Sequence, residues 1–224
     1  MVFGDIIRQS ELVDNSTGSA GGDGTTVYGI GNSDIYSLNE SDLTQSGIKS
    51  LDDFTNEPLS VGGTKDVIWG NSNGGGGFGL NLLREYSPSD FSVIRETSDF
   101  DPFKVGGGDN VIWVSEGEIK EVSPSDFSQI SSGGSDGPVG IGGNESVIWT
   151  IEQFEKDGST VEALRERDPS DFSVLSSTTN IEDRAISDVG GYEDQIWAGK
   201  GDYVYELATP VEIPSAPSNL SVTH

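Results

Sequence analysis

One short string recurs along this chain, and it constrains the fold more than any other feature. It reads Val61-Gly62-Gly63-x3-Val67-Ile68-Trp69, then Gly106-Gly107-x3-Val111-Ile112-Trp113. It returns as Gly142-Gly143-x3-Val147-Ile148-Trp149 and as Gly190-Gly191-x3-Gln195-Ile196-Trp197. A weaker copy, Gly21-Gly22-x3-Thr26-Val27-Tyr28, precedes them. In all five the second glycine stands six residues before the aromatic, and successive aromatics are 36 to 48 residues apart. A second element follows each of the first four aromatics: Glu40-Ser41-Asp42-Leu43, Pro88-Ser89-Asp90-Phe91, Pro124-Ser125-Asp126-Phe127 and Pro169-Ser170-Asp171-Phe172.

Short alternating runs such as Ile119-Lys120-Glu121-Val122 flank these elements, bounded by Gly, Ser, Asp and Pro, and such runs are strand and turn signals. Each unit therefore reads as strand, Gly-Gly turn, Ile-Trp strand, hairpin, third strand, Pro-Ser-Asp turn and fourth strand. A period near 40 with four strands is the pattern of a propeller blade. No segment sustains a 3.6 period, which excludes helical solenoids. The expected fold is an all-β, five-bladed β-propeller of four-stranded antiparallel blades over residues 1–208, with 209–224 an extended C-terminal arm or linker. The glycines are expected to supply positive φ or close backbone approach near the axis. The Ser and Asp side chains of the second element are expected to bond nearby backbone N–H groups.

The fifth unit ends at Tyr203-Val204-Tyr205-Glu206-Leu207 without a Pro-Ser-Asp-Phe element or a fourth strand. The start of the chain supplies a candidate. Phe3-Gly4-Asp5-Ile6-Ile7-Arg8-Gln9-Ser10 resembles Phe91-Ser92-Val93-Ile94-Arg95-Glu96-Thr97-Ser98, and Phe3 precedes Gly22 by 19 residues as Phe172 precedes Gly191. Residues 3–10 are thus expected to complete the last blade beside Tyr203 to Leu207 and remove a bare sheet edge.

Composition narrows the chemistry. The 224 residues suffice for one large all-β domain or two small ones, a core of that size stands without disulfides, and there is no cysteine. The only histidine is His224, so histidine catalysis and imidazole metal ligation are not expected. Asp and Glu number 38 against 12 Lys and Arg, a net charge of -26. That field repels nucleic acid and anionic lipid. At about 1 M salt the Debye length is only ~3 Å and self-repulsion is screened. The charge is therefore read as an adaptation to salt. Residues 1–5 carry no basic region or signal-length apolar run, and no stretch approaches 18 apolar residues, so no membrane association is expected.

The repeat resembles the YVTN-type propeller repeats of archaeal surface-layer and related bacterial proteins. The likeness rests on Val111-Ile112-Trp113-Val114-Ser115 and Arg167-Asp168-Pro169-Ser170. The tail, from Ile213-Pro214-Ser215-Ala216-Pro217 through Leu220-Ser221-Val222-Thr223, is similar to the opening of a fibronectin type III domain. It is expected either to pair with a neighbouring subunit or to be a disordered terminus. Together these features resemble a structural protein of a haloarchaeal tailed virus. The resemblance implies a non-enzymatic turret, spike or fibre module on the virion exterior. Its implied partners are other virion subunits, further copies of itself, and host surface-layer glycans.

A catalytic alternative must use carboxylates, as in a glycan hydrolase or lyase with an acidic pair at the axis. Asp66, Asp109, Glu145 and Asp194 lie in the turns after the glycine pairs and are the candidates to ring one mouth of the channel. The same four are the candidate oxygen ligands for a structural Ca²⁺ or Mg²⁺; no other cofactor is expected. The repeat tryptophans are read as packing between blades rather than as sugar platforms. Phe78 and Phe154 sit on hairpins longer than their counterparts. With Pro214, Pro217 and Leu220 they are the candidate interaction residues, since loops on a rigid scaffold carry recognition.

Overall fold

The computed structural model describes residues 2–10, 17–22, 26–31, 34–50, 58–73, 81–134, 137–181, 186–192, 194–201 and 203–210. They form five antiparallel sheets of four strands around one axis. Blade 1 holds β2 (Thr17–Gly22), β3 (Thr26–Gly31), β4 (Asp34–Asn39) and β5 (Gln45–Ser50). Blade 2 holds β6 (Pro58–Gly63), β7 (Ile68–Asn73), β8 (Asn81–Tyr86) and β9 (Val93–Thr97). Blade 3 holds β10 (Lys104–Gly107), β11 (Ile112–Ser115), β12 (Ile119–Val122) and β13 (Gln129–Gly133). Blade 4 holds β14 (Gly140–Gly143), β15 (Ile148–Lys156), β16 (Ser159–Arg167) and β17 (Val174–Thr178). Blade 5 holds β18 (Asp188–Gly191), β19 (Ile196–Lys200), β20 (Tyr203–Leu207) and, from the start of the chain, β1 (Ile6–Gln9).

The two glycines of each pair do different work. The first lies on the innermost strand at the axis. A Cβ built on Gly21, Gly62, Gly106, Gly142 or Gly190 would stand 2.4 to 2.9 Å from the Cα of the corresponding glycine in the next blade, closing the circle at Gly21. The second leaves the strand. Gly63, Gly107, Gly143 and Gly191 have φ between 125° and 141°, the region side chains avoid.

Between blades lies the core. Trp69, Trp113, Trp149 and Trp197 are fully buried. Three of them donate their indole N–H to a carbonyl in the next blade's glycine turn: Trp69 to Gly108 at 2.8 Å, Trp113 to Asn144 at 3.0 Å, Trp149 to Tyr192 at 2.8 Å. Asp23, the counterpart for Trp197, lies outside the described residues. The Pro-Ser-Asp-Phe turns serve the same contacts from the outside. Phe91, Phe127 and Phe172 meet Tyr28, Trp69 and Trp113 of the preceding blade edge-to-face, with centroids 6.2 to 6.4 Å apart. Leu43 joins the cluster around Trp197 in the same way.

These turns hold their residues in unusual backbone. Leu43, Phe91, Phe127 and Phe172 have φ of 55° to 62°, a conformation that costs a bulky residue on the order of 1–3 kcal/mol. Burial of the side chain between blades offsets that cost. Each turn is pinned by its aspartate, whose Oδ1 accepts the backbone N–H two residues on: Asp42 from Thr44, Asp90 from Ser92, Asp126 from Ser128, Asp171 from Ser173. These bonds hold the carboxyls of Asp42, Asp126 and Asp171 below the usual range, the hydroxyls of Thr44 and Ser173 leading for Asp42 and Asp171 and the Ser128 N–H for Asp126. A depressed folded-state pKa adds stability that is fully present above the unfolded value, near 4, and is lost as pH falls through the folded value. In an NMR carboxyl titration Asp42 should have a midpoint below that of aspartates lacking such bonds, and Thr44→Val, which removes the leading hydroxyl donor, should raise it. An unchanged midpoint in Thr44→Val would remove this account.

The closing strand is where expected, in a different register. β1 pairs antiparallel with β20, Ile6 against Leu207 and Arg8 against Glu206. In blade 2 Val93 faces Tyr86 and Arg95 faces Glu85. Arg8 thus corresponds to Arg95, and Gly4, not Phe3, occupies the position of Phe91. Gly4 has the positive φ, 82°, and its N–H bonds the Ala208 carbonyl at 2.9 Å as the Phe91 N–H bonds that of Ser87. Phe3 reaches the preceding blade from one residue earlier, its ring 6.2 Å from that of Trp149. The sequence alignment matched aromatic to aromatic, whereas the backbone demands that the left-handed positions coincide.

Candidate functional site

Strand direction divides the disc into two faces. The glycine-pair turns and the Pro-Ser-Asp turns lie on one; the hairpins between second and third strands and the crossovers between blades lie on the other. Between them the axis is closed. The space within the glycine ring admits no water-sized sphere.

On the hairpin side of that ring the axis is filled by charge. Asp188, Lys104 and Ser60 each stand two residues before the first glycine of their blade and are buried. Asp188 Oδ1 accepts the backbone N–H of Val189 at 2.9 Å and of Ile141, in blade 4, at 3.0 Å. Its Oδ2 accepts the Ser60 hydroxyl at 2.7 Å, and the Lys104 ammonium lies 3.7 Å away. Ser60 Oγ also accepts the Val105 N–H at 2.9 Å. An innermost strand has an edge with no further strand to bond, and a wide channel would satisfy it with water. Here one carboxylate and one hydroxyl satisfy part of it and tie blades 2 to 5 together.

A buried pair of this kind is strongly destabilising to break, by about 3–5 kcal/mol, because the partner's charge stays behind. Asp188→Asn and Lys104→Met are each expected to lower stability by that order in chemical denaturation. The double variant should lose less than the sum. Strict additivity would mean that the two charges do not interact.

The four turn carboxylates do not converge. Asp66 is exposed and pairs with its neighbour Lys65 at 2.5 Å. Asp109 accepts a bond from Thr64 Oγ1 of blade 2, and Glu145 accepts one from Asn110 of blade 3 at 3.3 Å. Asp194 is exposed. Among the described residues no group of three or more His, Cys, Asp or Glu is placed to hold a metal ion. The contacts of Asp109 and Glu145 run from blade to blade along the turn face.

Of the interaction candidates, Phe154 is half-buried on the long β15–β16 hairpin, with the Arg165 guanidinium 5.5 Å from its ring centre. A buried network holds the hairpin's base. Glu152 Oε1 accepts from Arg167 Nε at 2.8 Å and Nη2 at 2.6 Å, and Oε2 from Arg165 Nη1 at 2.6 Å. Phe78, Pro214, Pro217 and Leu220 lie outside the described residues. The tryptophans, enclosed between blades, offer no surface for a sugar to stack on.

Sequence reasoning missed the axial Asp188, Lys104 and Ser60. The signal was present: the residue two before the first glycine faces the axis in blades 2, 3 and 5, so a lysine and an aspartate at that repeat position must meet there or stay uncompensated. It also missed two cross-blade clips. Arg8 of blade 5 pairs with Glu206 and reaches blade 1 at Glu40 (2.8 Å) and the Ser41 carbonyl (2.6 Å). Arg95 of blade 2 pairs with Glu85, bonds the carbonyls of Pro124 and Ser125, and lies 4.4 Å over the Phe127 ring.

No family model and no curated protein matches this sequence. Solved structures do match the fold. Glutaminyl cyclase from Myxococcus xanthus superposes with a TM-score of 0.65 at 12% identity, over 92% of this chain and 97% of that one. Hydrazine synthase from Kuenenia stuttgartiensis gives a TM-score of 0.46 at 10% identity, over 76% of this chain and 50% of that one. At such identities the likeness is one of fold alone.

Proposed function

We propose that this protein is a non-enzymatic structural module on the exterior of a haloarchaeal virus, a turret, spike or fibre part that joins other virion subunits and presents loops to host-surface glycans. The observation that carries this reading is the closed axis. The place where a propeller could gather reactive groups is filled by backbone at the glycine ring, and the carboxylate beside it, Asp188, has both oxygens engaged by other blades. A rigid ring with a net charge of -26 suits a part that must keep its shape in concentrated salt. Its action is one of shape: a stiff disc presents loops while the terminal segments attach it. Any Ca²⁺ or Mg²⁺ bound at the acidic turns would serve the fold.

Antibodies raised against the purified protein test this on particles. Gold labelling on the outside of intact virions, with the protein in fixed proportion to the major capsid protein, is the expected result. Absence from purified particles would overturn the viral assignment. Turnover of a polysaccharide that is lost on changing a turn-face carboxylate would overturn the non-enzymatic reading and favour the hydrolase or lyase.

A further inference from the structure

We infer that the interface between blades 1 and 2 holds a site for a small monovalent anion, chloride in a chloride-rich medium, formed by Ser72, Arg84 and Tyr86 at the repeat position where blade 4 places the carboxylate of Glu152. The site is independent of any role on a virion.

Because the blades are repeats, one position can be followed around the ring. Three residues after the repeat tryptophan stand Ser72 in blade 2, Glu116 in blade 3 and Glu152 in blade 4. A cation on the third strand faces the residue just after that tryptophan in each: Arg84 faces Gly70, Lys120 faces Val114 and Arg165 faces Thr150. In blades 3 and 4 the cation meets the glutamate, Lys120 to Glu116 at 2.8 Å and Arg165 to Glu152 at 2.6 Å. Glu152 also accepts from Arg167 at 2.6 Å and from the Thr150 hydroxyl at 2.9 Å. Guanidinium and hydroxyl donors thus surround one carboxylate. Blade 2 keeps the cation, and Tyr86 stands at the register place of Arg167, facing Ile68 as Arg167 faces Ile148. It lacks only the acid, for which Ser72 is short and uncharged.

The three groups converge because Gly70 makes room. A Cβ built there would stand 3.0 Å from Tyr86 Cε2 and 3.7 Å from Cδ2. The ring therefore lies across the bare glycine and carries its hydroxyl along the hairpin toward Ser72. Its other side packs with Tyr28, Ile30 and Ile35 of blade 1. Ser72, Arg84 and Tyr86 are all at least 95% buried. Burial pushes the Tyr86 hydroxyl above its ordinary range, while Arg84 and Ser72 beside it pull the other way, so it stays a donor. Yet neither the Tyr86 hydroxyl nor Ser72 Oγ has a hydrogen-bond partner among the described residues. Leaving such groups without one is costly.

The chemistry favours an anion. Both hydroxyls and the guanidinium can donate, and an acceptor that brings no proton satisfies all three, as Glu152 does in blade 4. Arg84 does donate Nε to Glu96 at 2.9 Å, but that carboxylate is half exposed and water screens it. The net charge of -26 opposes an anion only at range, and at about 1 M salt the Debye length is ~3 Å.

Crystals of the full chain grown in sodium bromide test this. An anomalous peak in contact with Ser72 Oγ and the Tyr86 hydroxyl is expected. In solution, replacing sodium gluconate by sodium chloride at constant ionic strength should raise the melting temperature, since an ion that binds only the folded chain stabilises it. Ser72→Glu, which supplies the carboxylate of blade 4, should abolish both the bromide peak and the chloride response. Tyr86→Phe should shift the midpoint of the chloride response about tenfold upward, with near-UV circular dichroism otherwise showing a folded chain. If Ser72→Glu fails to fold, the wild-type bromide map and the Tyr86→Phe shift decide. A water at this place with no anomalous signal would overturn the inference. So would bromide at the surface alone, an adventitious ion only, or a chloride response that both substitutions leave unchanged.

Discussion

Gly142→Ala is expected to prevent the ring from forming. The added Cβ would stand 2.4 Å from Gly190 Cα and 2.5 Å from the Val189 carbonyl oxygen. Both are backbone atoms of the next innermost strand, so no side chain can swing away. The strand itself would have to retreat, and it is packed in turn against Gly21 of blade 1. Widening one gap in a closed ring shifts every other gap and pulls the tryptophans from the carbonyls they bond. Overpacking usually costs about 1–3 kcal/mol when side chains absorb it. With backbone on both sides the loss should exceed about 4 kcal/mol, a large part of a typical stability of about 5–15 kcal/mol. Gly158→Ala provides the contrast. Gly158 has φ 79° in the β15–β16 hairpin with nothing within 4 Å of a built Cβ, so only backbone strain of about 1 kcal/mol is at stake. Thermal denaturation of the two variants decides it: a Gly142→Ala protein melting within a few degrees of the Gly158→Ala protein would show that the axis has slack.

The architecture was legible because a propeller states its design several times. Five copies of Gly-Gly-x3 before an aromatic gave blade number, strand order and turn positions, and the missing fourth strand of the last copy pointed to residues 3–10. What the repeat could not convey is what depends on backbone sign and on neighbours across the axis. Phe91, Phe127 and Phe172 read as ordinary hydrophobic residues after a turn. Only their φ near 60° explains why Gly4, rather than Phe3, fills the equivalent place. The axial cluster was hidden for a different reason. Ser60, Lys104 and Asp188 are polar residues on innermost strands, at a position that in a single blade would face solvent; five-fold closure turns it inward. The acidic turn residues were legible in position but not in partners. Spacing placed Asp66, Asp109, Glu145 and Asp194 on one face, but spacing gives no distances. Asp109 and Glu145 bond donors of the preceding blade.

Deleting residues 1–10 should cost more than the loss of one exposed strand. β1 closes blade 5 through its pairing with β20, and the flanking residues add the Gly4 N–H to Ala208 carbonyl bond at 2.9 Å and the Ser10 N–H to Val204 carbonyl bond at 2.8 Å. Two side chains carry the effect to both neighbouring blades. Phe3 packs on Trp149 of blade 4, and Arg8 joins Glu206 to Glu40 of blade 1 while its guanidinium lies 5.6 Å from the Trp197 ring centre. Several hydrogen bonds at about 1 kcal/mol each, with an aromatic contact and a cross-blade clip, amount to about 5 kcal/mol or more. In a domain of this size that is a fall in melting temperature of about 10–20 °C. A permuted chain separates the strand's contribution from that of the terminus. The Ala208 N–H bonds the Asp5 carbonyl at 2.8 Å, so the end of blade 5 already lies beside its closing strand. A chain running from 11 to 210 and on into 3–10, in which Thr209 and Pro210 take the places of Pro88 and Ser89, keeps the strand while moving its covalent attachment. It should melt near the wild type, with the deleted chain far below. If both melt together near the wild type, closure by β1 contributes nothing, and the ring holds by the packing of its inner strands alone.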